Sequence, residues 1–272
     1  MHVLLLKEPR DGNSGPDPYI KELASYGLHA TLIPVLSFKF VSLNTLSDKL
    51  FQPEKHGGLI FTSPRAVEAV KMCLEAEERM EEWTQSVKDK WNNKSIYVVG
   101  KATAALVKNL GLNPLGEDTG TAERLSHVIL EREDKNIPPL FFPCGSIKRE
   151  VLPIALRENA MPLETLTVYQ TVEHPDLEKN LKNYFTEQVK PHSYYILENT
   201  LFKCSNSLSV SAFAVQGIPA SIAFFSPSGV KFCLEVVQRL SGEQLTQIKV
   251  QPRHSHTKKS MNLQHLTDFH CP

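Results

Sequence analysis

The chain has 272 residues, of which 41% are hydrophobic and 22% are charged, as in ordinary globular proteins of one or two domains. Lysine plus arginine and aspartate plus glutamate both number 30, and this zero net charge argues against a nucleic-acid-binding protein that relies on counterion release. No apolar run approaches the ~20 residues of a membrane span or the ~7 of a signal sequence, so we expect a cytoplasmic protein with no membrane partner.

The five cysteines are scattered, and none forms a Cys-x-x-Cys pair. We therefore expect reduced thiols rather than disulfides or a zinc site. His254 and His256 form a His-x-His pair near the C-terminus. Because no carboxylate or thiol lies nearby to complete a coordination site, we expect no bound metal.

The first part of the chain alternates short apolar runs with amphipathic stretches, bounded by glycine and proline. The predicted elements are strands over 3–6 and 30–33, a helix over 19–26, an extended segment over 35–41 and a helix over 43–50. This alternation of strand and helix predicts a parallel sheet with right-handed crossovers.

The clearest strand-to-helix turn lies near residue 60. The apolar run 59–61 predicts a buried strand, and Thr62 or Ser63 is suited to cap a helix that begins at Pro64. Such a turn directs free backbone amides and the positive end of a helix dipole toward anions. The same pattern recurs over 223–230, which predicts two similar α/β halves with a cleft between them.

The segment 75–94 is highly charged, with Trp83 and Trp91 as apolar anchors, which is typical of a helix with a solvent-exposed face. Beyond it the alternation of strands and helices resumes. The predicted elements are strands over 95–99 and 139–142 and helices over 101–110, 122–129 and 149–156, the last either kinked or interrupted at Pro153.

Residues 163–171 predict a strand with one face open to water, because two sets of side chains alternate along it: Leu166, Val168 and Gln170 against Thr167, Tyr169 and Thr171. We expect this strand to pair with the extended segment 35–41. That pairing predicts one domain inserted in another, with 1–36 plus 172–250 as the first α/β domain and 37–171 as the second.

The C-terminal part is less regular. We expect a helix over 177–186, an irregular insertion over 189–216, a strand over 222–225, a helix over 228–240 and a strand near residue 248. The tail from 251 to 272 is polar and aperiodic, and we expect it to be disordered.

Three predicted strand-to-helix turns of the second domain combine backbone amides, hydroxyls and cations at the carboxyl ends of strands, where α/β proteins bind ligands. This combination suits several carboxylates or phosphates on one ligand, although each serine or threonine could instead serve only as a helix cap. The candidate binding residues are Thr62, Ser63, Arg65, Lys101, Gly145, Ser146, Lys148 and Arg149, with Ser226 and Ser228 at the matching downstream turn.

Other catalytic patterns are absent from the sequence. It contains no phosphate-binding loop, no dinucleotide-binding glycine motif and no G-x-S-x-G turn. A lone tyrosine such as Tyr169 is most often structural. Its place on the linking strand nevertheless favours a position facing a cleft, where its hydroxyl could donate a proton.

Several short motifs follow one another in a specific order. They include Val3-Leu4-Leu5-Leu6-Lys7, Leu32-Ile33-Pro34-Val35, Gly58-Leu59-Ile60-Phe61-Thr62-Ser63-Pro64-Arg65, Tyr97-Val98-Val99-Gly100, Phe142-Pro143-Cys144-Gly145, Val168-Tyr169-Gln170-Thr171 and Phe225-Ser226-Pro227-Ser228-Gly229. In this order, over 1–188 and 217–249, they resemble the motifs of the uroporphyrinogen-III synthase family.

The resemblance implies two flavodoxin-like parallel-sheet α/β domains, one inserted in the other and joined by a two-stranded linker. It implies a lyase of haem biosynthesis that needs no cofactor and cyclises hydroxymethylbilane to uroporphyrinogen III, with loss of water and inversion of ring D. Tyr169 matches the family's proton-donating tyrosine and Thr103 a second catalytic residue. The many carboxylates of this linear tetrapyrrole suit the anion-binding turns. A monomer that receives its substrate from hydroxymethylbilane synthase is also implied.

The resemblance has two departures. The family has nothing like residues 189–216, and its terminal strands, helix and Gly-Pro-Thr-Thr turn are replaced here by 250–272. We therefore expect an incomplete first sheet and reduced stability. Two alternatives stay open, namely a catalytically impaired variant that binds tetrapyrroles weakly and a ligand-sensing module like a periplasmic binding protein.

Overall fold

The structure is a computed structural model that describes residues 2–9, 15–76, 79–147, 150–188, 219, 221–241 and 249–252. Its strands in chain order are β1 (His2–Leu6), β2 (His29–Ile33), β3 (Leu36–Phe40), β4 (Gly58–Phe61), β5 (Ser95–Val98), β6 (Pro114–Leu115), β7 (Leu140–Gly145), β8 (Leu163–Glu173), β9 (Ser221–Phe224) and β10 (Lys249–Pro252).

The helices lie between these strands, largely where the sequence predicts them. They are α1 (Pro18–Ser25), α2 (Leu43–Leu50), α3 (Pro64–Ala76), α4 (Met80–Glu82), α5 (Lys88–Asn92), α6 (Lys101–Asn109), α7 (Ala122–Arg132), α8 (Val151–Glu158), α9 (Leu177–Gln188) and α10 (Pro227–Ser241). A π-helical turn over Trp83–Val87 joins α4 to α5. Pro153 neither kinks nor interrupts α8, because it is the third residue of that helix, where the backbone N–H has no intrahelical partner.

The chain divides into two compact units, one formed by Met1–Ser37 with Val172–Pro272 and the other by Phe38–Thr171. The chain leaves the first unit within β3 and returns to it within β8. These two strands are neighbours in the same sheet, so the link between the units is two-stranded.

The two linking strands are antiparallel to each other. The N–H of Val41 donates to the carbonyl of Val168, with 2.9 Å between nitrogen and oxygen, and the N–H of His174 donates to the carbonyl of Val35 at 3.2 Å. Residue numbers thus increase along one strand while those of the paired residues decrease along the other, which is the pattern of an antiparallel pair.

The sheet of the first unit has the strand order β10-β9-β1-β2, and all neighbouring strands are parallel. This is the order of the first four strands of a flavodoxin-like sheet. Helices α9 and α10 pack against each other and against this sheet. The core between them includes Leu4, Leu6, Ile33, Leu181, Ile222, Phe224 and Val237.

Residues 251 and 252 belong to the edge strand β10, which pairs with β9 in parallel. The expectation of a disordered tail from residue 251 is therefore wrong for these two residues. Pairing at a sheet edge uses backbone N–H and C=O groups, so a polar segment can form it without a hydrophobic pattern. The expected insertion over 189–216 and the rest of the tail, with His254 and His256, lie outside the described residues.

The sheet of the second unit has the order β3-β8-β7-β4-β5-β6, and the five strands β4 to β8 are parallel to one another. Its four central strands repeat the order of the first sheet. Both faces are covered, since Leu59 and Phe61 of β4 enter a core with α3 and α6, whereas Ile60 enters one with α7 and α8. Burial on both sides explains why this strand is continuously apolar.

Two buried tyrosines differ in how their hydroxyls are paired. The hydroxyl of Tyr97 donates to Glu133 Oε1 at 2.6 Å, whereas that of Tyr184 has no partner in the described part of the chain. Burial raises the pKa of both phenols to about 12, with the Glu133 hydrogen bond adding to the effect at Tyr97. An unpaired buried hydroxyl costs free energy that a paired one does not.

Replacing Tyr184 by phenylalanine should therefore raise the free energy of unfolding by about 1 kcal/mol, because the change removes a buried group that has no partner. The matched variant Tyr97→Phe should lower it by about 1–2 kcal/mol, because it removes a hydrogen bond to a carboxylate. Urea unfolding of both variants measures this difference. A larger loss for Tyr184→Phe than for Tyr97→Phe would contradict the pairing described.

An ionic cluster lies at the amino ends of β4 and β8. The carboxylate of Glu164 contacts the ammonium of Lys49 and, at 2.9 Å, the Nε2 atom of His56, whose side chain is 2% exposed. The hydrogen bond from Lys49 has the largest effect and lowers the pKa of Glu164 below its ordinary value of 4.5. Burial opposes this effect, and the contact with His56 adds to it.

This cluster predicts a specific pH dependence of stability. Because the pKa of Glu164 is lower in the folded state, its contribution is present above pH 4.5 and is lost as pH falls through the folded value. Glu164→Gln should destabilise the protein at pH 7, and the difference from wild type should shrink below pH 4.5. Lys49→Met should behave similarly in urea unfolding across this range. A difference that is constant with pH would contradict the prediction.

Candidate active site

The carboxyl ends of β4 and β7 form the switch point of the second sheet, because the helices that follow these two neighbours cover opposite faces. The two strands pair only through Gly58 with Leu140 and Leu59 with Phe141. Farther along β7, Pro143 has no N–H to donate to a ladder. A crevice can therefore open between the ends of the two strands.

A cavity of about 260 Å³ lies at this crevice. Two turns predicted from the sequence line it, one after β4 and one after β7, together with Tyr169 of β8. A third turn, before α7, also lines it and was not predicted. The lining includes Thr62, Ser63, Gly120, Thr121, Gly145 and Tyr169.

The turn between β4 and α3 combines a helix cap with cavity-lining hydroxyls. Ser63 Oγ accepts the N–H of Arg65 at 3.2 Å, so Ser63 has the capping role that its position suggests. Arg65 itself points to other partners. Its Nη1 atom lies 2.7 and 2.8 Å from the two carboxylate oxygens of Glu68, and its guanidinium lies 4.5 Å from the centre of the Phe38 ring. The charge of Arg65 is thus already balanced.

The turn before α7 supplies Gly120, Thr121 and Ala122 to the cavity. Thr121 Oγ1 accepts the N–H of Arg124 at 3.2 Å and caps the helix. Sequence reasoning placed a helix start here but assigned it no binding role. The available signal was a Gly-Thr pair directly before an amphipathic helix, the same type of signal that singled out the turn after β4.

The position of Tyr169 depends on a register shift between β7 and β8. Cys144 pairs with Thr167 but the next residue, Gly145, pairs with Tyr169, so Val168 is an extra residue on β8. Such a bulge redirects the side chains that follow it. Tyr169 accordingly packs against the same core cluster as Leu166 and Val168, and the expected strict alternation is wrong at this residue.

The phenol of Tyr169 lies directly over Gly145. A Cβ atom added to Gly145 would come within 2.6 Å of Cζ and 2.8 Å of Oη of that phenol. Within the described part of the chain, the Tyr169 hydroxyl makes no hydrogen bond. It is therefore available to donate to a ligand in the cavity that it lines.

Other predicted residues of this unit lie apart from the cavity. Lys101 is 82% exposed, with Nζ 3.5 Å from Asp118 Oδ1, and Thr103 is buried at 2% exposure. The turn after β5 thus contributes only Val99 to the lining. Ser146 is exposed, and its N–H donates to the carbonyl of Tyr169 at 2.9 Å. Lys148 and Arg149 lie outside the described residues.

The last two candidates belong to the first unit, at the start of α10. Ser226 Oγ accepts the N–H of Gly229 at 3.0 Å and so caps this helix, and Ser228 is half-buried. In the same unit, Lys7 at the end of β1 forms an ion pair with Asp17, and both side chains are largely buried. That ammonium also lies 5.9 Å from the centre of the Tyr19 ring.

The described residues offer neither a metal site nor a membrane-spanning helix. They contain no group of histidine, cysteine, aspartate and glutamate side chains that could hold a metal ion. Cys73, Cys144 and Cys233 are buried and form no disulfide within the described part of the chain, and Cys204 and Cys271 lie outside the described residues. None of the described helices is both long enough and apolar enough to cross a membrane.

Comparison with known proteins identifies the family. A family model described as "Uroporphyrinogen-III synthase HemD" matches residues 17–263. The uroporphyrinogen-III synthase of Saccharomyces cerevisiae is 27% identical over 190 residues, which are 65% of this chain and 65% of that protein. A mutant uroporphyrinogen III synthase from the extremely thermophilic bacterium Thermus thermophilus has the same α/β fold, with a TM-score of 0.51, 14% identity, and coverage of 96% of this chain and 87% of the bacterial one. Because the family model spans most of its length, this chain belongs to the uroporphyrinogen-III synthase family.

Proposed function

We propose that this chain catalyses the cyclisation of hydroxymethylbilane to uroporphyrinogen III, with loss of water and inversion of ring D, as a lyase of haem biosynthesis. Family membership supports this reaction. The observation that carries it is the hydroxyl of Tyr169, which has no partner among the described residues and lines a cavity at the switch point of the second sheet. A phenol in that place is suited to act as a general acid.

In the proposed reaction, the Tyr169 hydroxyl donates its proton to the terminal hydroxyl of the substrate. The carbon–oxygen bond breaks, water leaves, and the lone pair of the pyrrole nitrogen stabilises the resulting azafulvene cation. The substituted α-carbon of ring D attacks this cation and forms a spiro intermediate. The bond from this carbon to the bridge with ring C then breaks, and the bridge carbon bonds to the free α-carbon of ring D, which inverts the ring. The proton lost from the closing ring returns to the Tyr169 oxygen, so the enzyme ends the cycle unchanged.

The turns of the cavity supply the binding part of the proposal. Free amides at the start of α3 and α7, together with Thr62 and Thr121, suit the carboxylates of a linear tetrapyrrole. Most of the catalytic effect would come from holding this flexible substrate in the one conformation that closes with inversion. The outer carboxylates of the substrate have four proposed contacts, namely Lys101, Ser146, Lys148 and Arg149. Thr103 is buried, and its proposed role is to support the turn after β5.

The wider setting is also a proposal. We propose that residues 37–171 are the inserted domain and that residues 1–36 with 172–250 are the host domain, and the division of the chain after residues 37 and 171 supports this arrangement. The protein would act as a cytoplasmic monomer that takes its substrate from hydroxymethylbilane synthase. The zero net charge of the chain favours this setting, as do its buried cysteines, which form no disulfide among the described residues.

The test is an assay in which hydroxymethylbilane is mixed with the purified chain and the isomers I and III are separated by chromatography. Spontaneous closure of the substrate gives isomer I, so a buffer sample measures the background. The proposal predicts isomer III in proportion to the amount of chain added. Isomer I alone, in the presence of folded chain, would contradict it.

A further inference from the structure

We infer that Phe38 and Gly145 are positioning residues that fix the direction of the Tyr169 phenol. The inference rests on the proposed function, because it concerns the group that would donate the proton. It follows from how this phenol is held. Since its hydroxyl makes no hydrogen bond in the described part of the chain, the packing around the ring is what can set its direction.

Gly145 holds the ring by close approach of the backbone. An added Cβ would lie 2.6 Å from Cζ, 2.7 Å from Cε2 and 2.8 Å from Oη of Tyr169, closer than side chains tolerate. Gly145 has no unusual backbone torsion that would itself require glycine. The reason for glycine here is therefore the space that the phenol occupies, and the register shift of β8 places the phenol there.

Phe38 contacts the same ring from the neighbouring strand β3. The two ring centres are 6.0 Å apart with planes at 75°, an edge-to-face contact. The ring of Phe38 is fixed in turn, because the guanidinium of Arg65 lies 4.5 Å from its centre and is bound to Glu68. Arg65 thereby contributes to the position of the phenol through Phe38.

These contacts predict a loss of rate rather than a loss of substrate binding when they are removed. Displacing a reacting group by about 1 Å can cost about 100-fold in rate. Phe38→Leu removes the ring edge, and Gly145→Ala pushes the phenol away. We expect each to lower kcat by about 10- to 100-fold with little change in KM, and Phe38→Tyr to restore most of the loss.

The matched control is Phe51→Leu. The Phe51 ring also makes an edge-to-face contact, with Trp83 at 6.3 Å between ring centres, and the guanidinium of Arg79 lies over it. Phe51 packs against the core cluster and does not line the cavity. Its replacement should lower stability and leave kcat unchanged. Each variant is also made in a Tyr169→Phe background. There the Phe38 and Gly145 changes should have no further effect on kcat, because the hydroxyl that they position is gone.

The deciding experiment combines these kinetics with fluorine NMR of the chain labelled with 3-fluorotyrosine. The Tyr169 signal is the one absent from Tyr169→Phe. The inference predicts that Phe38→Leu and Gly145→Ala move this signal and lower kcat, whereas Phe51→Leu does neither. An unmoved signal, or equal losses of kcat with and without the Tyr169 hydroxyl, would overturn it. If the wild-type chain makes no isomer III, the proposed function fails, and the NMR result alone decides whether these residues position the phenol.

Discussion

Replacing Tyr169 by phenylalanine should lower kcat for isomer III by about 10²- to 10⁴-fold, the usual contribution of a general acid. The expected size follows from the chemistry, because a hydroxide is a poor leaving group until it is protonated. KM should change little, since the aromatic ring that fills its place beside Gly145 remains. Steady-state kinetics with chromatographic separation of the isomers measures both constants.

The same variant should leave the free energy of unfolding almost unchanged. The Tyr169 hydroxyl has no hydrogen-bond partner within the described chain, so its removal leaves no group unpaired. Tyr97→Phe is the matched control, because its hydroxyl binds Glu133 and it does not line the cavity. That variant should lose stability and keep its kcat. A kcat for Tyr169→Phe within twofold (roughly 0.4 kcal/mol in barrier) of wild type would remove Tyr169 from the mechanism.

The second large effect is expected at Trp91, where replacement by alanine should lower the free energy of unfolding by about 3–5 kcal/mol. The Trp91 side chain is 0% exposed, and its indole N–H donates to the carbonyl of Leu50 at 2.8 Å. Its ring also stacks on that of His56, with centres 6.0 Å apart. Alanine would leave a cavity and an unpaired carbonyl together.

Two variants separate these contributions to the stability. Trp91→Phe keeps an aromatic ring but loses the N–H, so it should cost less than the alanine variant. Lys90→Ala, at an exposed position of the same helix, should change stability by no more than about 0.5 kcal/mol. Urea unfolding of all three gives the comparison. A loss below about 1 kcal/mol for Trp91→Ala would contradict its role as the anchor of this charged segment.

The elements of the fold could be predicted from the sequence because local patterns determine them. The apolar run at 59–61 between glycine and Ser-Pro gave a strand and a helix start, and the predicted helix 43–50 has the same bounds as α2. Trp83 and Trp91 are the predicted anchors of the charged segment, because a helix packs on a core only through apolar side chains. Both side chains are buried.

The geometry of the site could not be predicted, because it depends on pairing between distant segments. The shift between Cys144 and Gly145 requires knowledge of which residue of β8 lies opposite each residue of β7. No period within 163–171 contains that information, so the face of Tyr169 was assigned incorrectly. The contact of Phe38 with Tyr169 joins two strands that are far apart in sequence.

The sequence did not show, for a related reason, which of the strand-to-helix turns line the cavity. Every strand-to-helix turn offers the same amides and hydroxyls, and only the strand order determines which of them meet. The turn after β5, with Lys101 and Thr103, carries the right residue types but does not reach the cavity beyond Val99. The turn with Thr121 does line it.

The most direct test of this account is a crystal structure of the chain bound to uroporphyrinogen III, the proposed product. The account predicts that carboxylates of the tetrapyrrole lie at the backbone amides of the turns with Thr62 and Thr121, and that the Tyr169 hydroxyl contacts the ring carbon or nitrogen nearest the former leaving group. A product bound elsewhere, with Tyr169 out of contact, would contradict the assignment of this cavity as the active site.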